Sequence, residues 1–331
     1  MPDPRLDVLC IGNAIVDVIA NSSDDFLSEE GLVKGSMRLI DAEEAERLYS
    51  HMGPAHQVSG GSAGNTAAGI AALGGRAGFI GQVARDQLGE FYRHDLTATG
   101  VEFITPASDV GQPTARSMIL VTPDGHRTMN TFLGAAQHLP TEALDESQIR
   151  DSAILYLEGY LWDPETPRYA MVRAIEVARE AGRQVAFTLS DTFCVDRHRD
   201  GFNQLLNTGR IDILFANQAE VEALAGIAHL ESAVAAVAPK VGTLVVTRSE
   251  DGALAMRNGE RADVPAEPIK ELVDTTGAGD LFAAGFLFGT ARGQSLESCL
   301  RLGAICAAEV IQHYGARPEA DLRALAGELA A

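Results

Sequence analysis

The segment Asp274-Thr-Thr-Gly-Ala-Gly-Asp280 has the residue types and spacing best suited to chemistry, and an apolar run of helical period follows it. Gly277, Ala278 and Gly279 have almost no side chain, so their backbone N–H groups can surround an oxyanion at a helix N-terminus. Asp280 falls in the first helical turn, within reach of a hydroxyl group that must lose its proton as it attacks. The pattern indicates phosphoryl transfer to a hydroxyl group. The plain alternative is a glycine-rich turn with Asp280 as an ordinary N-terminal helix residue.

A second glycine cluster, Ser59-Gly-Gly-Ser-Ala-Gly-Asn65, leads into a helical run of small residues. Gly60 and Gly61 let a ligand approach the backbone closely, because neither carries a side chain. Asn65 offers both a donor and an acceptor, which suits the hydroxyl groups of a polyol. The cluster is equally consistent with close helix packing and an asparagine cap.

Near the start of the chain, Gly12-Asn-Ala-Ile-Val-Asp17 places two polar side chains in an apolar, strand-like run. Buried polar groups need partners, and vicinal hydroxyl groups on a ligand are one such partner for the Asp17 carboxylate. Asn13 is a candidate for the same binding site. A structural turn that uses both side chains is the alternative.

Asn217-Gln-Ala-Glu220 follows the predicted buried strand 211–215 and opens a predicted helix. Ligands bind at the carboxyl ends of strands in open α/β sheets, so contacts with magnesium or phosphate-bound water are one interpretation. Asn217 and Glu220 are also spaced as the N-cap and N3 residues of a capping pair, which explains them equally well.

The sequence excludes several other chemistries. Its three lysines do not follow a glycine, so there is no Walker A motif, and neither glycine cluster completes G-x-G-x-x-G. The eight histidines and four cysteines form no zinc-binding pattern, and no G-x-S-x-G elbow occurs. Dinucleotide-dependent hydride transfer, transition-metal catalysis and serine hydrolysis are therefore not expected.

The bulk composition limits the partners and the compartment. A formal charge of -20, from 46 acidic and 26 basic residues, repels nucleic-acid backbones and acidic membrane surfaces. No apolar run reaches the ~18 residues of a membrane span, and the N-terminus lacks a basic leader. We expect a cytoplasmic protein that binds neither nucleic acid nor membrane, with its cysteines as reduced core thiols.

Short apolar runs alternate with helical runs from about residue 60, which predicts a parallel sheet with helices on both faces. The predicted strands are 8–12, 77–83, 154–157, 185–189, 211–215 and 244–247. The predicted helices are 62–73, 87–99, 166–181, 218–225, 280–292 and 296–311. Residues 14–40 and 112–133 break this rhythm and predict extended segments with turns, including a hairpin that turns at Pro123-Asp-Gly-His. We expect one domain over 1–331, with these segments forming a small β lid.

Taken together, the four motifs occur in the order and at the separations seen in the ribokinase-like (PfkB) carbohydrate and nucleoside kinases, which the chain resembles over nearly its whole length. The resemblance implies a three-layer α/β fold with a small β-sheet lid, and ATP with Mg²⁺ as cofactors. Asp280 would be the catalytic base, and Gly277, Ala278 and Gly279 the anion hole. Asn13, Asp17, Gly60, Gly61 and Asn65 would bind the substrate.

The resemblance also implies residues on the ATP side. Arg127, on the lid hairpin, would reach the phosphates on closure, and Thr247 would lie beside the nucleotide. Asn217 and Glu220 would act on Mg²⁺ through water. Asp274 and Thr276 would flank a site for a monovalent cation such as K⁺.

Within the family, residues 188–193, 213–217 and 127–133 are similar to segments of adenosine kinases. This likeness implies a nucleoside, adenosine above all, as phosphoryl acceptor, with Met37, Met129 and Thr131 against the flat base. Core packing explains each methionine equally well. Thr276 gives a D-T-T form common in bacterial sugar kinases, and Ser249 replaces a usual glycine after Thr247. A kinase of a free sugar, such as ribose, fructose or 2-keto-3-deoxygluconate, and a non-catalytic nucleoside sensor remain alternatives. The protein would be a monomer or a homodimer.

Overall fold

The computed structural model describes residues 4–109 and 111–330; residues 1–3, 110 and 331 of the predicted domain lie outside the described part. Within it, strands form a nine-stranded sheet. In spatial order the strands are β6 (Glu102–Phe103), β5 (Ala77–Ile80), β1 (Leu6–Ile11), β9 (Ser152–Glu158), β10 (Gln184–Thr188), β11 (Ile213–Asn217), β12 (Thr243–Thr247), β13 (Ala253–Arg257) and β14 (Glu260–Val264). The strands from β6 to β12 are parallel, and β13 and β14 extend the sheet in antiparallel fashion.

Helices cover both faces of this sheet, which confirms the predicted three-layer fold. The helices are α1 (Asp24–Glu29), α2 (Ala42–His51), α3 (Ser62–Ala72), α4 (Gln87–Ala98), α5 (Glu146–Arg150), α6 (Glu165–Glu180), α7 (Thr192–Asn207), α8 (Gln218–Ala225), α9 (Leu230–Val237), α10 (Ala278–Ala291), α11 (Leu296–Val310) and α12 (Leu322–Ala326). Alternate residues of each strand enter different cores: Val8 and Cys10 of β1 pack with α3 and α10, whereas Leu9 and Ile11 pack on the side of α6. Because both faces are buried, the strands read as continuous apolar runs.

A second, five-stranded sheet, here called the lid sheet, lies outside the βαβ succession in the described part of the chain. In spatial order it consists of β3 (Met37–Leu39), β8 (Arg127–Phe132), β7 (Ala115–Val121), β2 (Ile15–Asn21) and β4 (Ala55–Gly60). The predicted hairpin is present as the antiparallel pair β7 and β8. One face of the lid sheet is covered by α1 and α2, where Leu27 and Leu48 pack with Leu120.

The structure differs from the predicted lid in two places. Residues 14–40, predicted as extended, contain the helix α1, whose N-cap Ser23 accepts a hydrogen bond from the Phe26 N–H at 3.1 Å. The strand β4 was not predicted, because it lies at the sheet edge with His56 and Gln57 exposed and so lacks an apolar alternation. The lid sheet therefore draws on residues 55–60 as well as on the two predicted segments.

All four cysteines are free and buried, as expected for core thiols. Among the described residues no single helix is both long and apolar enough to cross a membrane. One pair, Gln218–Ala225 and Leu230–Lys240, meets those criteria only when its two helices, bent by 63°, are taken together.

Candidate active site

Asp280 is the third residue of α10, close to the N-terminus of α3. Its Oδ1 accepts a hydrogen bond from the Ser62 hydroxyl at 2.6 Å, and its Oδ2 accepts one from Nδ2 of Asn65 at 2.9 Å. Burial raises the pKa of Asp280, and the two hydrogen bonds and the nearby Arg317 charge oppose that rise. The carboxylate is thus held in one orientation by donors from α3. Ser62 was not among the predicted site residues, although it lies inside the second glycine cluster.

The predicted anion hole lies at the N-terminus of α10. Gly277 is the N-cap and has φ 79°, a left-handed conformation that favours glycine, and a Cβ there would come within 2.6 Å of the Ala316 Cβ. Gly279 faces open space, since a Cβ on it would meet nothing within 4 Å. The Ala278 N–H donates to the Thr275 carbonyl at 3.2 Å, so this donor is engaged in the present structure. The anion-hole role of the three residues stays a prediction.

Asp17 lies in β2 on the lid sheet, and the glycine at position 60 makes room for it, because a Cβ on Gly60 would collide with the Asp17 carboxylate. Burial raises the pKa of Asp17 to about 6, while Arg127 and Arg317 lower it and Asp280 raises it further. The negative charges of Asp17 and Asp280 therefore repel each other across the space between the lid sheet and the main sheet.

The strand register places the predicted base-pocket residues on the same face of the lid sheet as Asp17. Asp17 is opposite Ser117, Ser117 is opposite Thr131, and Thr131 is opposite Leu39. Two residues away along β8 and β3, Met129 is opposite Met37 on that face. Met37 and Leu39 are 53% and 59% exposed, although both are apolar. This face, opposite the one covered by α1 and α2, joins a carboxylate to an uncovered apolar surface.

Glu158, at the end of β9, is a site residue that the sequence analysis missed. It is fully buried, and its Oε1 accepts from both the backbone N–H and the Nδ2 of Asn13 at 2.7 Å. Its Oε2 accepts from the Ala63 N–H at 2.8 Å. Burial raises the pKa of Glu158 to about 7, against the pull of these hydrogen bonds. A carboxylate directly after the predicted strand 154–157 was the available signal.

This network accounts for Gly12 and Asn13 of the motif Gly12-Asn-Ala-Ile-Val-Asp17. A Cβ on Gly12 would collide with the Glu158 carboxylate, so only glycine fits there. The Asn13 side chain is buried and bound to Glu158, and its contact with a substrate stays a prediction. Gly61 has φ 85°, and a Cβ on it would collide with the Asn13 carbonyl, so the motif at 12–17 packs directly on the second glycine cluster at 59–65.

Asn65 is 5% exposed, and its Oδ1 has no hydrogen-bond partner among the described residues. A buried acceptor without a partner is costly, and a hydroxyl donor on a ligand would satisfy it. Asn65 thus combines a fixed contact to Asp280 with a free acceptor. This fits its predicted substrate role without testing it.

Arg127 and Asp274 form an ion pair between the lid sheet and the loop that precedes α10. Their side chains are 7% and 5% exposed. Asp274 also accepts from the Thr276 N–H and the Gly315 N–H, both at 3.0 Å. Arg127 therefore lies beside the predicted anion hole but meets Asp274 here. Its contact with phosphate, and a monovalent cation near Asp274 and Thr276, stay predictions.

Asn217 and Glu220 form the capping box that the sequence allowed. The Asn217 Oδ1 accepts from the Glu220 N–H, and the Glu220 Oε2 accepts from the Asn217 N–H, both at 2.9 Å. Glu220 is buried, which raises its pKa to about 7. Among the described residues no group of three or more His, Cys, Asp or Glu side chains could hold a metal ion. One carboxylate fits a Mg²⁺ ion held mainly by phosphates and water, and does not fit a protein-built cage.

Thr247 ends β12 at the carboxyl edge of the large sheet, next to Asn217 in register. Two residues later Ser249 has φ 52°, in the left-handed region. This conformation explains why glycine suits the position, and Ser249 adopts it here.

A carboxylate at a helix N-terminus after a glycine-rich loop, facing a second carboxylate on a separate β lid, defines the class of ribokinase-like small-molecule kinases. Residues 5–322 match the model of the pfkB family carbohydrate kinases. The chain belongs to this family, and it is a phosphotransferase with an alcohol group as acceptor. ATP is the phosphoryl donor that the family implies.

Solved structures agree with this assignment. An adenosine kinase from Sinorhizobium meliloti is 51% identical, with a TM-score of 0.90, over 97% of this chain and 98% of its own. A probable sugar kinase from Rhizobium etli is 49% identical, with a TM-score of 0.91, over 98% of both chains. By sequence alone, the adenosine kinase of Saccharomyces cerevisiae is 27% identical over 93% of this chain and 95% of its own.

Proposed function

We propose that the protein is an adenosine kinase, which transfers the γ-phosphoryl group of ATP to the primary hydroxyl of adenosine and yields AMP. The observation that carries this proposal is the face of the lid sheet where Asp17 shares one surface with the exposed apolar side chains of Met37 and Leu39. A ribose needs a carboxylate for its vicinal hydroxyls, and a purine needs an apolar surface beside it. Phe193, 72% exposed where α7 follows β10, adds an aromatic surface at the carboxyl edge of the large sheet.

In this proposal Asp280 accepts the proton of the primary hydroxyl as that oxygen attacks phosphorus. Ser62 and Asn65 hold both carboxylate oxygens, so the base is preorganised before substrate arrives. Asp17 orients the ribose hydroxyls, and the free Oδ1 of Asn65 accepts from a hydroxyl group. Closure of the lid sheet excludes water, which limits futile ATP hydrolysis.

The residues on the ATP side have supporting roles. Gly277, Ala278 and Gly279 would stabilise the transferring phosphoryl group at the positive end of the α10 dipole. Mg²⁺, when bound with ATP near Asn217 and Glu220, would supply charge neutralisation on the phosphates. Arg127 would exchange Asp274, its ion-pair partner in the loop before α10, for a phosphate oxygen. Thr247 lies next to Asn217 at the carboxyl edge of the large sheet and would lie beside the nucleotide.

The test is ADP release from MgATP with adenosine, guanosine, inosine, cytidine, ribose, fructose, fructose phosphates and 2-keto-3-deoxygluconate as acceptors. Adenosine is expected to lead in kcat/KM. A free sugar leading the panel would overturn the acceptor and leave Asp280 in its role, and nucleoside binding without turnover would indicate a sensor.

Met37→Glu should lower kcat/KM for adenosine selectively, since a charge would be placed on the apolar surface.

The second candidate acceptor is a free sugar. The D-T-T form at Asp274-Thr-Thr276 and the likeness to the probable sugar kinase from Rhizobium etli favour it. Against it stands the apolar surface beside Asp17, because a free sugar would call for more hydrogen-bonding groups there.

A further inference from the structure

A short segment after α11, Tyr314-Gly-Ala-Arg317, contacts different parts of the candidate site with each of its residues. The Tyr314 hydroxyl lies near Gly125 at the lid hairpin, 3.5 Å from where a Cβ on that glycine would be. The Gly315 N–H donates to Asp274, and Ala316 packs against the N-cap Gly277. No sequence motif pointed to this segment, which joins the lid sheet to the predicted anion hole.

Arg317 completes these contacts on the acceptor side. Its Nε donates to the Ser59 carbonyl at 3.0 Å, its Nη2 to the Ser59 hydroxyl at 3.0 Å, and its Nη1 to the Gly64 carbonyl at 2.9 Å. One guanidinium thus holds both ends of the 59–64 segment, which contains Gly60, Gly61 and Ser62. Because Arg has a planar fork of donors, lysine cannot reproduce this set.

The charge of Arg317 is not cancelled by a direct ion pair. Among the described residues no carboxylate lies within ion-pair distance of its guanidinium, and its partners are neutral carbonyl and hydroxyl groups. Its electrostatic partners are Tyr92 and Asp95 of α4, Asp17 of the lid sheet and Asp280 of α10. The positive charge therefore acts on both carboxylates that the proposed function uses.

We propose that Arg317 is a positioning residue of the acceptor site: it fixes the 59–64 segment and supplies the positive charge shared by Asp17 and Asp280. The inference rests on the proposed function for the roles of these two carboxylates. Arg317 lowers the pKa of each against the larger effect of burial, and so favours the ionised form of both carboxyl groups. The pKa of Asp280 also depends on its hydrogen bonds from Ser62 and Asn65, and that of Asp17 depends on the charges of Arg127 and Asp280. These groups must therefore remain in place in the test.

The experiment compares wild type with Arg317→Gln, Arg317→Lys and the matched control Arg93→Gln. Arg93 also donates to backbone carbonyls, those of Phe103 and Thr105, but it does not act on Asp17 or Asp280. The readouts are ¹³C NMR titrations of the Asp17 and Asp280 carboxyl groups in labelled protein and the pH profile of kcat/KM with the best acceptor.

In Arg317→Gln the carboxyl titrations and the acidic limb of kcat/KM should move up by about one pH unit, because a nearby opposite charge is lost. The maximum of kcat/KM should fall at least about tenfold through misplacement of the segment. Arg317→Lys should keep the carboxyl titrations near wild type and lower kcat/KM. Arg93→Gln should change neither the titrations nor the acidic limb of kcat/KM.

Unmoved titrations in Arg317→Gln would overturn the inference and leave Arg317 a structural residue. If that variant does not fold, full activity of Arg317→Lys would overturn it instead. The titrations do not need turnover, so titrations that move in a protein inactive on every acceptor would refute the proposed function alone. Unmoved titrations in an active enzyme would refute only the role of Arg317.

Discussion

At the scale of the residue, we propose Asp280 as the base because side chains from a different helix hold both of its carboxylate oxygens, which an ordinary helix-terminal acid would not need. Asp280→Asn should lower kcat by about 10²–10⁴-fold, because an amide cannot accept the proton. In the wild type the rate should fall toward acid pH as the carboxylate, whose pKa burial raises, becomes protonated. Steady-state kinetics across pH measure both effects.

A suitable control is Asp321→Asn, which alters a carboxylate that caps α12 by accepting from the Arg323 and Ala324 N–H groups at 3.0 and 3.1 Å. Asparagine is as good an N-cap as aspartate, so this variant should keep full activity. Near-normal turnover of folded Asp280→Asn would show that another group accepts the proton.

Site residues in local motifs could be predicted from the sequence, whereas those whose partners are distant in the chain could not. The glycines of the two clusters, Asp280 and Asn65 were predicted, since each belongs to a local motif. Glu158 and Arg317 were not, because their partners lie far away in the chain: Glu158 meets Asn13, and Arg317 meets Ser59. Such pairs are created by the fold and leave no local spacing to recognise.

At the scale of the element, helices with strong period and clear ends were predicted well. The predicted helix 218–225 agrees with α8, and the predicted helix 280–292 begins two residues later than α10, which Gly277 caps in a left-handed conformation. The predicted strand 77–83 ends earlier, at Ile80. The edge strand β4 was missed, since an exposed edge needs no apolar alternation.

The lid hairpin β7 and β8 should depend on the Arg127–Asp274 ion pair for its position. Both side chains are nearly buried, so removing one leaves an uncompensated charge. Arg127→Met should lower the free energy of unfolding by about 3–5 kcal/mol and speed amide hydrogen exchange in residues 115–132. Urea unfolding and exchange mass spectrometry measure the two changes.

Arg85 provides the comparison, because its ion pair with Asp109 is 69% and 64% exposed. Arg85→Met should change stability by less than about 1 kcal/mol. Equal effects of the two substitutions would mean that burial of the Arg127 pair does not govern the lid.

At the scale of the whole molecule, the acceptor site should make the protein most stable on the acidic side of neutrality. Burial raises the folded-state pKa of Asp17 to about 6 and of Glu158 to about 7, both above their ordinary values. Between the unfolded and folded pKa values the folded state binds more protons than the unfolded state. Stability should therefore fall as pH rises from about 5 to 8. The net charge of -20 acts in the same direction through self-repulsion.

Urea unfolding of the wild type and Glu158→Gln across this pH range measures how much the Glu158 carboxyl contributes to the pH dependence of stability. At pH 5 the Glu158 carboxyl, whose pKa burial raises to about 7, is protonated in the folded state and resembles an amide, so the variant should be close to wild type there. Its stability should then depend less on pH, because the amide does not ionise. Glu260→Gln, on an exposed position of β14, should leave the slope as in wild type. A slope unchanged by Glu158→Gln would assign the pH dependence to Asp17 and the overall charge. A slope that vanishes would assign it to one buried carboxylate, so that the network orienting Asn13 is held against a cost in stability that grows toward neutral pH.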